Sequence, residues 1–253
     1  MSKKDIFLGI LGGMGPMAGV ELQRRIIEKS PASKDKDHIR MICFNNTQIQ
    51  DRTESYKNGY DYSSEIIDSF RMLGGLGVNI GVMACNTAHF KFDNICDKVG
   101  FQLISLIDDT FKYITEKCKG AINIGLLATD GTIKSKIYHN KFIGTNHNII
   151  DLDNTDQETV TNVIYGKYGI KAGYINSKNK HLVMDIIYKL KAKGADKVIL
   201  GCTELSLLGF NTNYVIDPMD IVSTNIVNLA YQNEEYAEGY YFKQYHSSKV
   251  INE

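Results

Sequence analysis

Gly81-Val82-Met83-Ala84-Cys85-Asn86-Thr87 and Val198-Ile199-Leu200-Gly201-Cys202-Thr203-Glu204 are the two stretches that decide the reading of this chain. Each is a short apolar run, long enough for a buried strand, that stops at a cysteine followed by small polar residues. The cysteines lie 117 residues apart. A second pair of runs, Phe7-Leu8-Gly9-Ile10-Leu11-Gly12 and Asn123-Ile124-Gly125-Leu126-Leu127-Ala128, recurs with its glycines 116 residues apart. Two strand ends repeating at nearly one period point to a duplication, with one cysteine-terminated strand in each half.

Outward from these stretches, apolar runs at Ile6–Leu11, Ile39–Phe44, Ile80–Ala84, Ile122–Ala128 and Val198–Leu200 read as buried strands. Between them Ile66, Ile67, Phe70 and Leu73 fall at helical spacing, as do Leu182, Val183, Ile186, Ile187 and Leu190. Strands alternating with helices give an α/β fold of mainly parallel sheets covered by helices. Ligands in such folds collect beyond the carboxyl ends of the strands. The expected organisation is residues 1–114 as a first α/β domain and 115–216 as a second. Residues 217–253 form a tail whose helical stretch Ile221–Tyr231 returns to pack on the first half.

Composition narrows the function classes. The 253 residues carry 29 basic and 29 acidic side chains, so the basic excess of a nucleic-acid binder is missing. The longest uncharged stretch, 72–90, holds Asn79, Asn86 and His89 and makes a poor membrane span. The first residues lack the pattern of a signal peptide. Five cysteines without a CxxC pair argue against a disulfide framework and fit a reducing cytoplasm.

The loop Gly12-Gly13-Met14-Gly15-Pro16-Met17-Ala18 follows a strand and opens a helix. It fits GxGxxA, but the next strand ends in Asn45-Asn46 rather than in the acid that would hold a ribose. Backbone N–H groups at such a loop suit a carboxylate as well as a phosphate. Cys85 and Cys202 each begin a strand-to-helix turn, where N–H groups favour thiolate. Facing one another across a cleft, one could remove a proton as thiolate while the other delivered one as thiol. Disulfide chemistry wants closer cysteines, and a zinc site from Cys85, His89 and Cys202 lacks a fourth ligand. Arg52 and Lys171 are candidate carboxylate holders, although either residue alone reads as a surface charge.

Taken together, Gly12-Gly13-Met14-Gly15-Pro16, Asp51-Arg52-Thr53, Cys85-Asn86-Thr87-Ala88-His89, Leu126 to Thr132, Gly169-Ile170-Lys171-Ala172-Gly173 and Leu200 to Leu205 run in the order seen in a known family. The chain resembles the aspartate/glutamate racemase superfamily, and within it the aspartate racemase branch. The resemblance implies two pseudo-symmetric α/β domains with the active site in the cleft between them. It implies an amino-acid isomerase that uses no pyridoxal phosphate, metal or nucleotide, with a dicarboxylic amino acid as substrate and a homodimeric, cytoplasmic protein. Cys85 and Cys202 match the two acid/base positions. Met14, Arg52, Asn86, Thr87, Ala88, Thr132, Lys171, Thr203 and Glu204 match positions that line the cleft or hold substrate. Gly13-Met14 in the first loop, and Glu204 where glutamate racemases carry a His, favour the aspartate branch. Gln50, in place of a usual Pro, and the tail motif Asp217-Pro218-Met219-Asp220 depart from it. The competing expectations are a broad-specificity or glutamate racemase, a maleate-type cis–trans isomerase on the same scaffold, and a binding protein that lost turnover.

Overall fold

The computed structural model describes residues 5–231. In chain order the first half consists of β1 (Phe7–Gly12), α1 (Pro16–Lys29), β2 (Arg40–Asn45), α2 (Arg52–Asn58), α3 (Ser63–Gly75), β3 (Ile80–Met83), α4 (Phe92–Cys96) and β4 (Gln102–Ile104). α5 (Leu106–Lys117) leads into β5 (Asn123–Ala128), α6 (Asp130–Lys134), α7 (Ile137–Phe142) and β6 (Asn148–Ile150). There follow α8 (Asn154–Tyr165), α9 (Ser177–Ala192), β7 (Lys197–Gly201), α10 (Thr203–Ser206), β8 (Val215–Ile216) and α11 (Pro218–Tyr231).

The strands form two four-stranded parallel sheets, ordered β2-β1-β3-β4 and β6-β5-β7-β8. The two orders are the same when each half is counted from its own first strand. The cysteine-terminated strands β3 and β7 therefore occupy equivalent central places, and the repeat seen in the sequence is a repeat of topology. β1 and β5 are apolar on both faces because helices cover both sides. The five expected strands are β1, β2, β3, β5 and β7, but β2 is not the buried strand expected: it lies at a sheet edge and none of its residues is fully buried, because only one neighbour covers it. The remaining three, β4, β6 and β8, have two or three residues each. That is too short for a periodic pattern, and all three are edge strands.

Ile66, Ile67, Phe70 and Leu73 are buried along α3 as expected. On α9, Val183, Ile186, Ile187 and Leu190 are buried, but Leu182 is exposed. It therefore does not belong to the apolar face, because its position falls just outside the arc that meets the sheet.

α5 runs through residues 114 and 115, so the expected division between domains falls inside one helix. Its Ile107 and Ile114 pack with Ile124, Leu126 and Tyr138 of the second half. Leu106 packs with the first half's core. α11 lies against both α5 and α1, with Met219, Val222, Ile226 and Ala230 in the core that also holds Leu8, Ile10 and Leu22. The last described residue, Tyr231, donates its hydroxyl to the Asp37 carbonyl at 2.6 Å. Residues 232–253, the rest of the expected tail, lie outside the described residues. Among those described, no helix is long and apolar enough to cross a membrane.

Candidate active site

The carboxyl ends of β3 and β7 place Cys85 and Cys202, each 5% exposed. Beyond Cys85 the chain turns through a 3-10 helix, Thr87–Lys91. Cys202 is the N-cap of α10, a single turn. The two turns are joined directly, because the Thr203 hydroxyl donates to the Ala84 carbonyl at 3.2 Å.

Further bonds close the halves on one another around this point. The Thr87 hydroxyl lies 3.0 Å from that of Thr129 and 2.8 Å from that of Thr132. The Tyr138 hydroxyl donates to Asn86 Oδ1 at 2.6 Å. Gly131 is a glycine because a Cβ there would meet Thr53 and Thr87 of the other half within 3.0 Å. The Gly15 N–H donates to Glu204 Oε1 at 2.9 Å. A Cβ on Gly15 would stand 2.6 Å from that same oxygen. Gly15 is thus explained by the opposite half's carboxylate at the N-terminus of α1, where bare N–H groups welcome an anion, whereas Gly12 and Gly13 make room for Asn45 and Asn46 of their own half.

Glu204 is the hub of the polar network. Its Oε1 takes the Gly15 N–H and an ion pair with Lys171 at 3.1 Å, and its Oε2 accepts from the Cys202 thiol at 3.0 Å. Burial pushes the Cys202 thiol well above its ordinary value, and the Glu204 charge pushes it further; Lys171 opposes them without prevailing. This corrects the expectation that the helix turn would favour thiolate at Cys202. One turn of helix carries little dipole, and desolvation beside a carboxylate outweighs it.

Arg52 opens α2 behind the Asp51 N-cap and is 5% exposed. It donates to the carbonyls of Met14 at 2.5 Å, Gln50 at 2.8 Å and Ile49 at 3.3 Å. Its Nε has no partner among the described residues. Burial works against its charge, but Cys85, Asp51 and Tyr165 oppose that and the balance raises its pKa. Lys171 donates to the same Met14 carbonyl at 2.9 Å. Burial disfavours the Lys171 cation as well; Glu204, Cys202 and Cys85 counter it in that order and raise its pKa. One ammonium is therefore within electrostatic reach of both cysteines. The two cations thus fill both lone pairs of one main-chain carbonyl, which holds their charges side by side.

Of the expected residues, Arg52, Lys171, Glu204 and Thr203 share one set of bonds with the Met14 carbonyl and Cys202, while Thr87 with Thr132, and Asn86 with Tyr138, form separate sets on the other side of the Cys85 turn. Ala88 is adjacent in sequence, but its methyl group packs in the first half's core. Sequence reasoning missed Tyr138, which holds Asn86, and Tyr62, which donates to the Thr87 carbonyl at 3.3 Å. It also missed Tyr165, whose hydroxyl reaches Asp51 at 3.2 Å and whose ring lies 5.3 Å from the Lys171 ammonium. Tyrosines are common in this chain and none of these three stands beside a cysteine in sequence, so only tertiary proximity reveals them. His89 is structural: Nε2 accepts from the Leu106 N–H at 3.1 Å, so Nδ1 carries the proton and donates to the Cys85 carbonyl at 2.8 Å. No group of three or more His, Cys, Asp or Glu side chains able to hold a metal occurs among the described residues.

The chain is thus two α/β units of one topology, with a buried cysteine at the equivalent strand end of each and two cations beside them. Residues 11–224 match the Asp/Glu/Hydantoin racemase family, and the chain belongs to it. It is an isomerase, an amino-acid racemase by family. Among solved structures it is similar to the Picrophilus torridus aspartate racemase, with a TM-score of 0.78 and 27% identity over 91% of this chain and 97% of the other. Among sequences it is similar to the broad specificity amino-acid racemase RacX of Bacillus subtilis, 26% identical over 79% of this chain and 86% of the relative. It is also similar to glutamate racemase 3 of Caldanaerobacter subterraneus subsp. tengcongensis, 27% identical over 70% of this chain and 64% of that one.

Proposed function

We propose that the chain interconverts L- and D-aspartate by proton transfer between Cα and two sulfurs, those of Cys85 and Cys202. The observation that carries this reading is that the two cysteine turns are bonded to each other through Thr203 and Ala84, with Lys171 ion-paired to the Glu204 carboxylate that accepts from the Cys202 thiol. The α-hydrogen of an amino acid is weakly acidic, so negative charge developing at the carboxylate and Cα must be met by fixed positive groups. Arg52, Lys171 and the main-chain N–H groups of the two turns are those groups. Desolvation in the closed site strengthens them.

In this scheme Cys202 begins as the neutral thiol that burial and Glu204 favour, and Cys85 takes the α-proton. Cys202 then protonates the opposite face. The negative sulfur it leaves lies within the field of Lys171. The reverse direction exchanges the roles, as microscopic reversibility requires. The substrate's carboxylates take donors of Arg52 and Lys171. The reaction needs only the chain's own side chains, and the protein acts as a cytoplasmic homodimer in the manner its family resemblance implies.

Preference for aspartate is supported by the aspartate racemase named above, which matches the chain over nearly its whole length. The likeness to a broad specificity racemase favours a second reading, in which the same proton transfer serves several side chains. A panel of L- and D-amino acids incubated in deuterated water tests both. Deuterium at Cα of aspartate alone supports the first reading, and deuterium across the panel the second. No exchange with any member would sink both.

A further inference from the structure

Asn86 follows Cys85 directly and is 1% exposed. Its Oδ1 accepts from the Tyr138 hydroxyl, and its Nδ2 has no hydrogen-bond partner among the described residues. A buried amide N–H₂ without a partner forfeits the hydrogen bonds it would make in water, so its position calls for a ligand acceptor. Which way the amide faces is decided by its oxygen: held at Oδ1, the side chain must present Nδ2 elsewhere. The holder comes from the other half of the molecule. Tyr138 lies on α7, 52 residues away in sequence, and is 1% exposed. Burial keeps its phenol neutral far into the alkaline range, so it remains a donor at every working pH.

We propose that Tyr138 is a positioning residue for the racemase reaction: through Oδ1 of Asn86 it turns the amide N–H₂ toward a substrate carboxylate, and it does so only when the two halves are closed. This rests on the racemase reading of the same site. Because donor and amide belong to different halves, parting the halves releases the amide to rotate. The donor for substrate is then assembled by the same movement that excludes water. Thr87, the next residue, is held in the same way by Thr129 and Thr132 of the second half. The turn after Cys85 thus takes its side-chain orientation from across the interface, and Tyr138 supplies the part that reaches a carboxylate.

The test is a double-mutant cycle on α-hydrogen exchange of L-aspartate in deuterated water, with Tyr138→Phe, Asn86→Ala and the pair. Tyr138→Phe keeps the ring and removes only the donor. The expected result is a rise in KM of about tenfold for Tyr138→Phe, a rise at least as large for Asn86→Ala, and no further rise in the pair beyond Asn86→Ala. A purely structural tyrosine would lower the unfolding midpoint and leave KM unchanged, and that result overturns the proposal. Additive effects in the pair also overturn it, since Tyr138 would then act by another route. An effect of Asn86→Ala without one of Tyr138→Phe overturns the tyrosine's role and leaves the racemase reading standing. No exchange by the unmutated protein overturns that reading, and this proposal with it. A second measurement needs no tyrosine variant. The side-chain amide of Asn86, followed by nitrogen NMR, should show one orientation and shift on adding L-aspartate; averaged orientations or no shift would refute the assignment.

Discussion

The hydroxyl of Thr203 donates to the carbonyl of Ala84 at 3.2 Å, so the residue after one cysteine is hydrogen-bonded to the residue before the other. Two strand ends from two separate sheets are thereby held in one small volume. The bond is possible because both strands stop at equivalent places in their sheets, and because Gly15 and Gly131 leave room for the opposite half. The consequences can be measured.

Cys85→Ser and Cys202→Ser should each lower racemisation of aspartate by about 10²–10⁴-fold while leaving the fold intact. Circular dichroism of the amino acid follows inversion, and far-ultraviolet dichroism of the protein checks the fold. Full activity in either variant would exclude a two-sulfur mechanism.

Glu204→Gln should move the Cys202 thiol to a lower pKa. The carboxylate now adds to burial in raising it, and removing the negative charge removes that share. The pH dependence of alkylation at Cys202, located by peptide mass spectrometry so that Cys43, Cys85, Cys96 and Cys118 do not contribute, reports the shift. The turnover should fall roughly tenfold as the thiol loses a charge-assisted partner. A titration that stays in place would show that burial alone governs this sulfur.

Arg52→Ala should weaken dicarboxylic amino acids more than neutral ones, by roughly tenfold in kcat/KM. The guanidinium's Nη groups bond to main-chain carbonyls while its Nε has no partner among the described residues, so the group has a donor left for a substrate carboxylate. Equal losses for aspartate and alanine would mean that Arg52 holds the loop and does not read the side chain.

His89 should make the protein less stable in mild acid. Burial holds its folded-state pKa down to about 4, against 6.5 for the ordinary group, although its main-chain bonds offset part of that. Between those values the unfolded chain binds the proton and the folded one does not. The stabilisation is therefore present above about pH 6.5 and is lost as pH falls toward 4, by about 3 kcal/mol in all. Urea unfolding across that range measures it, and His89→Leu should flatten the slope. An unchanged slope in the variant would assign the acid sensitivity to other groups.

Ile226→Ala should cost about 2–5 kcal/mol in urea unfolding. Ile226 is 1% exposed within the core shared by α1, β1 and α11, so the truncation leaves a cavity there. A loss well under 1 kcal/mol would mean that α11 is only loosely attached to the first half.

The sequence alone determined the duplication, because two apolar runs ending in cysteine at one offset are a local pattern that survives without any contact being known. It determined the strands buried on both faces for the same reason, since burial on two sides writes a continuous apolar run into the chain. The edge strands β4, β6 and β8 were not legible, being two or three residues long and defined by their neighbours. Only the tertiary structure decided the state of Cys202, since desolvation and the nearness of Glu204 depend on what surrounds the turn and overrule its helical position. Only it brought Tyr138 to Asn86 and two cations to the Met14 carbonyl. Those contacts join residues far apart in the chain, and electrostatic and hydrogen-bond energies act through space over a few ångströms, with no trace in local composition.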